Sequence, residues 1–287
     1  MKNLFNFGKI CLFVLIATTI PSCAERDYNA EIFQAATEGD TSKIVDLISD
    51  GADPNFENKV GMTVLMATVE NGHVEALQAL VDNGAKISGK NNIGKTALMH
   101  AAFWGQKDCA QMLLQKGANV NAQDNDKNTA LMFAANKNHV DIVNIFIEKG
   151  ADVKARNFEE RTPLIAASMG GNSQVIRILL EKGADINHQN IYGYSPLMGA
   201  EEQGSVASVK LLLESGADPN LKNKGGWTAI MDAAEREYTE IVRLLIEHGA
   251  DVNARTDGGN TAIRAAEEGG YPDIVRMLKE AGAKHEH

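Results

Sequence analysis

Chemistry in a chain begins with groups able to attack, to ligate or to trade protons, and here the first candidates are three cysteines and seven histidines. Cys11 and Cys23 stand near the start, while Cys109 lies alone in an apolar stretch at helical spacing. Three thiols are too few for a disulfide framework or a cysteine-rich zinc site. A lone thiol on an apolar face is a small hydrophobe, and no histidine or basic residue stands in a motif that would lower the pKa of Cys109. His73 and His139 fall at equivalent points of a repeated pattern, where a second helix starts, and His188 falls in a hairpin. His285 and His287 form a His-x-His tail with no third ligand in view. The carboxylates are scattered over repeated surfaces, and no serine-centred or phosphate-cradling motif occurs. No catalytic residue, no cofactor and no metal ligand is expected, and the chain reads as a non-enzyme.

Cys23 offers a different chemistry, that of a thiol which can become a thioether. Residues 1–9 are short and basic, Ile10 to Ile20 is an apolar run of eleven, and Pro21-Ser22-Cys23-Ala24 follows with small residues. That is the three-part plan of a secretory signal. Eleven residues at about 1.5 Å each cover about half of a ~30 Å hydrocarbon core, so a spanning helix is the weaker reading. The run Ile20-Pro21-Ser22-Cys23 resembles the lipobox of bacterial lipoproteins, with Pro21 in place of the usual small residue. The resemblance implies cleavage before Cys23 and acyl chains on that residue, each buried methylene contributing about 0.8 kcal/mol to anchoring. Ala24, where inner-membrane lipoproteins carry Asp, then points to the outer membrane, facing the periplasm. Ser22-Cys23-Ala24 also fits an ordinary signal-peptidase site, which would release a soluble periplasmic protein starting at Glu25. The expected division is a signal over 1–23, a linker over 24–27 and one array over 28–287, touching membrane only through an N-terminal acyl anchor.

Composition narrows the partners. Hydrophobic residues at 44%, charged residues at 23% and only 6 prolines describe an ordered chain with a sizeable core. Twenty-eight basic and 38 acidic residues give a formal charge of -10. Loss of residues 1–23, which carry Lys2 and Lys9 and no acid, leaves 26 basic residues and a charge of -12. Nucleic acid is excluded as a partner, because the phosphate backbone rewards clustered Lys and Arg.

The architecture follows from a period. Gly-Ala occurs at Gly51, Gly84, Gly117, Gly150, Gly183, Gly216, Gly249 and Gly282, every step being 33 residues. Twenty-one residues before seven of these stands Thr63, Thr96, Thr129, Thr162, Ser195, Thr228 or Thr261, each opening an apolar segment such as TALMHAA or TAIMDAA. This pattern resembles the ankyrin repeat, and the resemblance runs from about Tyr28 to His285. It implies a mainly α solenoid of about eight helix-turn-helix units joined by β-hairpin loops, with polar capping units at both ends.

Each repeated residue has a physical task. Thr or Ser is expected to cap the first helix, Pro163 and Pro196 suit its first position, and paired alanines such as Ala101-Ala102 keep it thin. Gly39, Gly72, Gly105, Gly171, Gly204 and Gly270 should turn the chain between helices; Asn138 can do the same, whereas Glu237 is a poor left-handed residue. The family's TPLH has its His replaced by Met66, Met99, Met132, Ile165, Met198, Met231 and Arg264, and the methionines read as core filler.

Ankyrin resemblance implies binding of another protein through hairpin tips and the concave face of the first helices. Large apolar groups are expected at the tips, at Ile93, Phe158, Ile191, Tyr192, Tyr194 and Trp227, and Phe103 and Trp104 end a first helix with His100 one turn earlier. Exposed aromatics of this kind make contact hot spots. The alternative is that Phe103 packs on its neighbour and that Tyr192 and Tyr194 cover hairpin backbone. Glu202, Glu235 and Glu268 share one repeat position, with Glu201, Asp232 and Glu267 close by, so a negative late surface and a partner with a basic patch are expected. The leading expectation is a monomeric, non-catalytic scaffold of the cell envelope. An anchored or self-associating spacer, and an exported effector or inhibitor, are the other readings.

Overall fold

The computed structural model describes residues 27–284. The segment 1–26, with the signal and Cys23, and His285 and His287 lie outside the described residues. The chain forms eight helix pairs: α1 (Tyr28–Glu38) with α2 (Thr41–Ser49), α3 (Val64–Glu70) with α4 (Val74–Asp82), α5 (Ala97–Trp104) with α6 (Lys107–Gln115), and α7 (Ala130–Asn136) with α8 (Val140–Glu148). The later pairs are α9 (Pro163–Met169) with α10 (Ser173–Glu181), α11 (Pro196–Glu202) with α12 (Val206–Glu214), α13 (Ala229–Glu235) with α14 (Thr239–Glu247), and α15 (Ala262–Gly269) with α16 (Pro272–Glu280). Odd helices pack on odd neighbours and even on even, each helix also touching its own partner, so two layers run the length of the array.

Packing follows from side-chain size. The alanine pairs Ala101-Ala102, Ala134-Ala135 and Ala233-Ala234 are buried, as are Met66, Met99, Met132, Ile165, Met198 and Met231; Met66, Met99 and Met231 join one continuous core with Leu80, Leu113, Phe146, Leu179, Leu212 and Leu245 of the even layer. Arg264, the exception in the methionine series, stays outside and pairs with Glu268 at 2.8 Å. Helices of seven to eleven residues are marginal alone. Stacking between units therefore supplies what each pair lacks.

The turns obey backbone sterics. Gly39, Gly72, Gly105, Gly171, Gly204 and Gly270 all sit in the left-handed region, and so do Asn138 at φ 61° and Glu237 at φ 63°, which occupy the same repeat position. Lys127 and Glu160 adopt φ 63° and 55° at loop tips where other units place glycine.

Caps depart from expectation at two points. The hydroxyls of Thr63, Thr96, Thr162, Ser195 and Thr261 accept from the backbone N–H three residues on. Thr129 and Thr228 keep the extended backbone of a cap but make no such bond, and their hydroxyls are buried without a partner.

The expected hairpins are tighter and less sheet-like than a strand ladder. No strand occurs among the described residues; three isolated bridges pair Glu57 with Thr63, Lys90 with Thr96 and Gln123 with Thr129. A side chain at one repeat position buckles each of the first six loops. Asn58, Asn91, Asp124, Asn157, Asn190 and Asn223 each use a side-chain oxygen to accept from two backbone N–H groups, two and four residues on. These local bonds add to the backbone pairing of each loop, where the same residue's N–H donates to the carbonyl four residues on, as from Asn58 to Met62 and from Asn190 to Tyr194, both at 3.0 Å.

A second set of side chains ties unit to unit. Asn55, Asn121, Asn220 and Asn253 donate from Nδ2 to the carbonyls of Gly84, Gly150, Gly249 and Gly282, the left-handed glycines that close the next unit's second helix. Where the even helices begin, His73, Gln106, His139 and Asn172 reach back to carbonyls of Thr37, Glu70, Phe103 and Ala135 at 3.1, 2.9, 3.2 and 2.8 Å. His73 and His139 thus hold adjacent units together through Nε2.

Candidate functional site

Two clusters gather most of the side chains singled out in the sequence, both on the layer of odd helices. The first is built around the end of α5. Phe103 and Trp104 meet edge to face at 5.2 Å, and Phe103 also lies 6.3 Å from Phe133 of α7. Lys95 stands 4.6 Å over Phe133, and Lys137 stands 4.6 Å over Phe103, so the rings are flanked by cations. Trp104 remains 52% exposed, and its indole N–H donates to Glu70 Oε1 at 3.1 Å.

His100 corrects an expectation. It is not a surface contact but is 8% exposed beneath this cluster, with Nδ1 2.7 Å from Glu70 Oε1. Its place one turn before Trp104, on the side facing α3, turns the ring into the seam between units. Burial pushes its pKa down, against the raising influence of Glu70. The ring is therefore neutral at physiological pH and donates from Nδ1, which leaves the buried Nε2 as an acceptor with no partner. The contact is a hydrogen bond more than an ion pair.

The second cluster spans α11 and α13. Tyr194 and Trp227, expected at the hairpin tips, are half-buried at the base of their loops. Each immediately precedes a capping residue, Ser195 or Thr228. Together with Glu201, Asp232 and Glu235 they line a hollow of about 150 Å³. Glu235 is exposed and Glu202 half-buried, whereas Glu201, read as part of a negative surface, is 1% exposed. The reason is register: Glu201 takes the second position of the alanine pair, which is buried in every unit but the last, where Glu267 is exposed. Burial, a hydrogen bond with Asp232 and the charge of Asp232 push its pKa up to about 10, and its Oε1 is buried without a partner. Arg236 pairs with Asp232 at 3.0 Å. Burial and the charges of Glu202 and Asp232 push the Tyr194 hydroxyl pKa up as well.

Phe158 and Tyr192 belong to neither cluster. Both are loop-tip residues, 59% and 50% exposed; Lys127 lies 4.8 Å over the Phe158 ring. Ile93 and Ile191 are also exposed at tips. Glu268, grouped with Glu202 and Glu235 in the sequence, is held by Arg264. Cys109 is buried in α6, and desolvation pushes its thiol up to about 11, so it stays protonated. Among the described residues no three His, Cys, Asp or Glu side chains could share a metal ion, and no helix is long and apolar enough to cross a membrane.

What this layer offers is contact chemistry: flat rings flanked by cations at α5, and carboxyls beside rings at α11 and α13. Reading the sequence missed Glu70, which draws His100 and Trp104 together, and the buried state of Glu201. The signal for Glu201 was present, since a carboxyl in the slot of an alanine pair breaks a small-residue rule. The model of the family described as ankyrin repeats matches in three copies, over residues 32–124, 119–190 and 197–287. No curated protein matches the chain.

Proposed function

The chain belongs to the ankyrin-repeat family, and from that premise we propose a non-catalytic scaffold of the bacterial cell envelope, which holds a partner protein on the odd-helix face and loop tips. Ankyrin repeats mediate protein–protein interaction. The observation that carries the site is the concentration of half-exposed rings on one layer, Phe103 and Trp104 at one place and Tyr194 and Trp227 at another. Trp and Tyr supply large contact area with few rotors. The acidic side chains around the second cluster favour a partner with a basic patch, and capture should weaken as salt screens the exposed charges over about 8–10 Å. Attachment of acyl chains to Cys23 would place this face in the periplasm at the outer membrane.

Photo-crosslinking in intact cells tests the scaffold. A photoreactive residue at Tyr192 or Glu235 is expected to give one discrete heterologous product by mass spectrometry, and one at the exposed Lys210 of the even layer none. Equal products from both layers, or none from either, would reject this binding face. Crosslinks only to a second copy of the chain would favour the self-associating spacer. Incorporation of labelled palmitate, lost in Cys23→Ala, tests the anchor; an unlabelled wild-type chain removes it.

A further inference from the structure

The hollow between α11 and α13 holds an acceptor that nothing in the protein uses. Glu201 stands where equivalent units carry Val69, Ala102, Ala135, Ser168, Ala234 or Glu267; Glu267 is exposed on the last unit, and the others are buried. A carboxyl in that slot must be stripped of water, which opposes folding unless something compensates it. Its Oε1 finds no donor, its hydrogen bond is to Asp232, and Arg236 engages Asp232. Packing therefore gives no reason for an acid here. The Trp227 ring and the Tyr194 ring share the lining of the same hollow with Glu201 and Asp232.

We propose that this hollow receives the guanidinium of an arginine side chain from the partner protein, with the carboxyls of Glu201 and Asp232 accepting its N–H donors and the Trp227 ring stacking on its plane. The proposal rests on the scaffold reading above and adds the chemistry of the contact. Arginine fits better than lysine because carboxyls from two helices match a planar fork of donors, and because a weakly hydrated, flat cation stacks on an indole where an ammonium keeps its water. In the empty hollow Glu201 holds a proton at neutral pH, beside Asp232 and Glu235 of α13, Arg236 just after that helix, Glu202 of its own helix and Tyr194 of the preceding loop. Seating the guanidinium releases that proton to water, so one positive charge replaces another.

Titration of the purified protein with acetyl-Gly-Gly-Arg-Gly-Gly-amide, followed by the indole N–H signals of the two tryptophans, tests this. The Trp227 signal is expected to shift saturably while Trp104 stays still. The lysine peptide should bind about fivefold more weakly, and the citrulline peptide, the same shape without charge, should leave Trp227 unmoved. Glu201→Gln, and separately Asp232→Asn, should weaken the arginine peptide about tenfold or more, a loss of about 1.4 kcal/mol. Citrulline binding as well as arginine, or lysine binding more tightly, would overturn the proposal, and that comparison needs no variant to fold. No Trp227 shift while a partner still crosslinks to Glu235 overturns the arginine subsite and leaves the scaffold standing. A shift with no partner crosslinked anywhere overturns the scaffold reading instead.

Discussion

Two single residues carry stability costs that can be measured. Glu237 holds a left-handed turn at φ 63° where six equivalent units use glycine; a side chain there costs about 1–2 kcal/mol, offset in part by the looser unfolded state of glycine. Glu237→Gly is expected to stabilise the protein by about 0.5–1 kcal/mol in urea unfolding, and no gain would show that the turn is unstrained. Glu201 links stability to pH. Its folded pKa, near 10, lies above the ordinary carboxylate value of 4.5, so its penalty is absent below the lower value. The penalty then grows as pH rises, because the unfolded chain ionises first. Between about pH 5 and pH 9 the wild type should lose about 1 kcal/mol per pH unit more than Glu201→Gln, whose slope stays flatter. The turn at Glu237 was legible from the period alone, since position and residue type together name the conflict. The burial of His100 was not. Its environment depends on Glu70 in the preceding unit and on how two neighbouring helices close over it, and spacing along one strip of sequence does not report that.

Helices and loops show where local rules hold. The period placed every helix pair, and proline at the first helical position, because capping and small-residue packing are set within a few residues of each other. The ankyrin resemblance implied hairpin loops; what it did not name is the Asn or Asp side chain that braces each of the first six, at a 33-residue spacing, with Thr256 in the seventh. Asn190→Ala would strand the N–H groups of Tyr192 and Tyr194 and is expected to cost about 1–3 kcal/mol, with faster hydrogen exchange at those two amides. Unchanged exchange would mean that water replaces the side chain. Caps provide a paired test: Thr63→Ala removes a bond to Met66 N and should cost about 1 kcal/mol. Thr228→Ala removes a buried hydroxyl that has no partner and should cost less than half as much.

At the scale of the molecule the array is one-dimensional. Each unit packs only on its neighbours, so removing one whole period keeps every contact in register. Deletion of residues 129–161 is expected to leave a folded, cooperative chain with one helix pair fewer. Deletion of thirty residues from the same point should unfold it, because caps and alanine pairs then meet the wrong partners. Helical signals in both deletions would show that register matters less than this. The side-chain bonds that tie units together, from Asn55 to Gly84 up to Asn172 to Ala135, join positions 29 to 37 apart in the chain. A load applied at the two ends would therefore reach each seam in series instead of being shared. Drawn out in an optical trap, the molecule should lengthen in steps of about 110 Å, the contour of 33 extended residues less the width of a folded layer. It should recoil by the same increments when slackened, as a spring whose turns open one at a time.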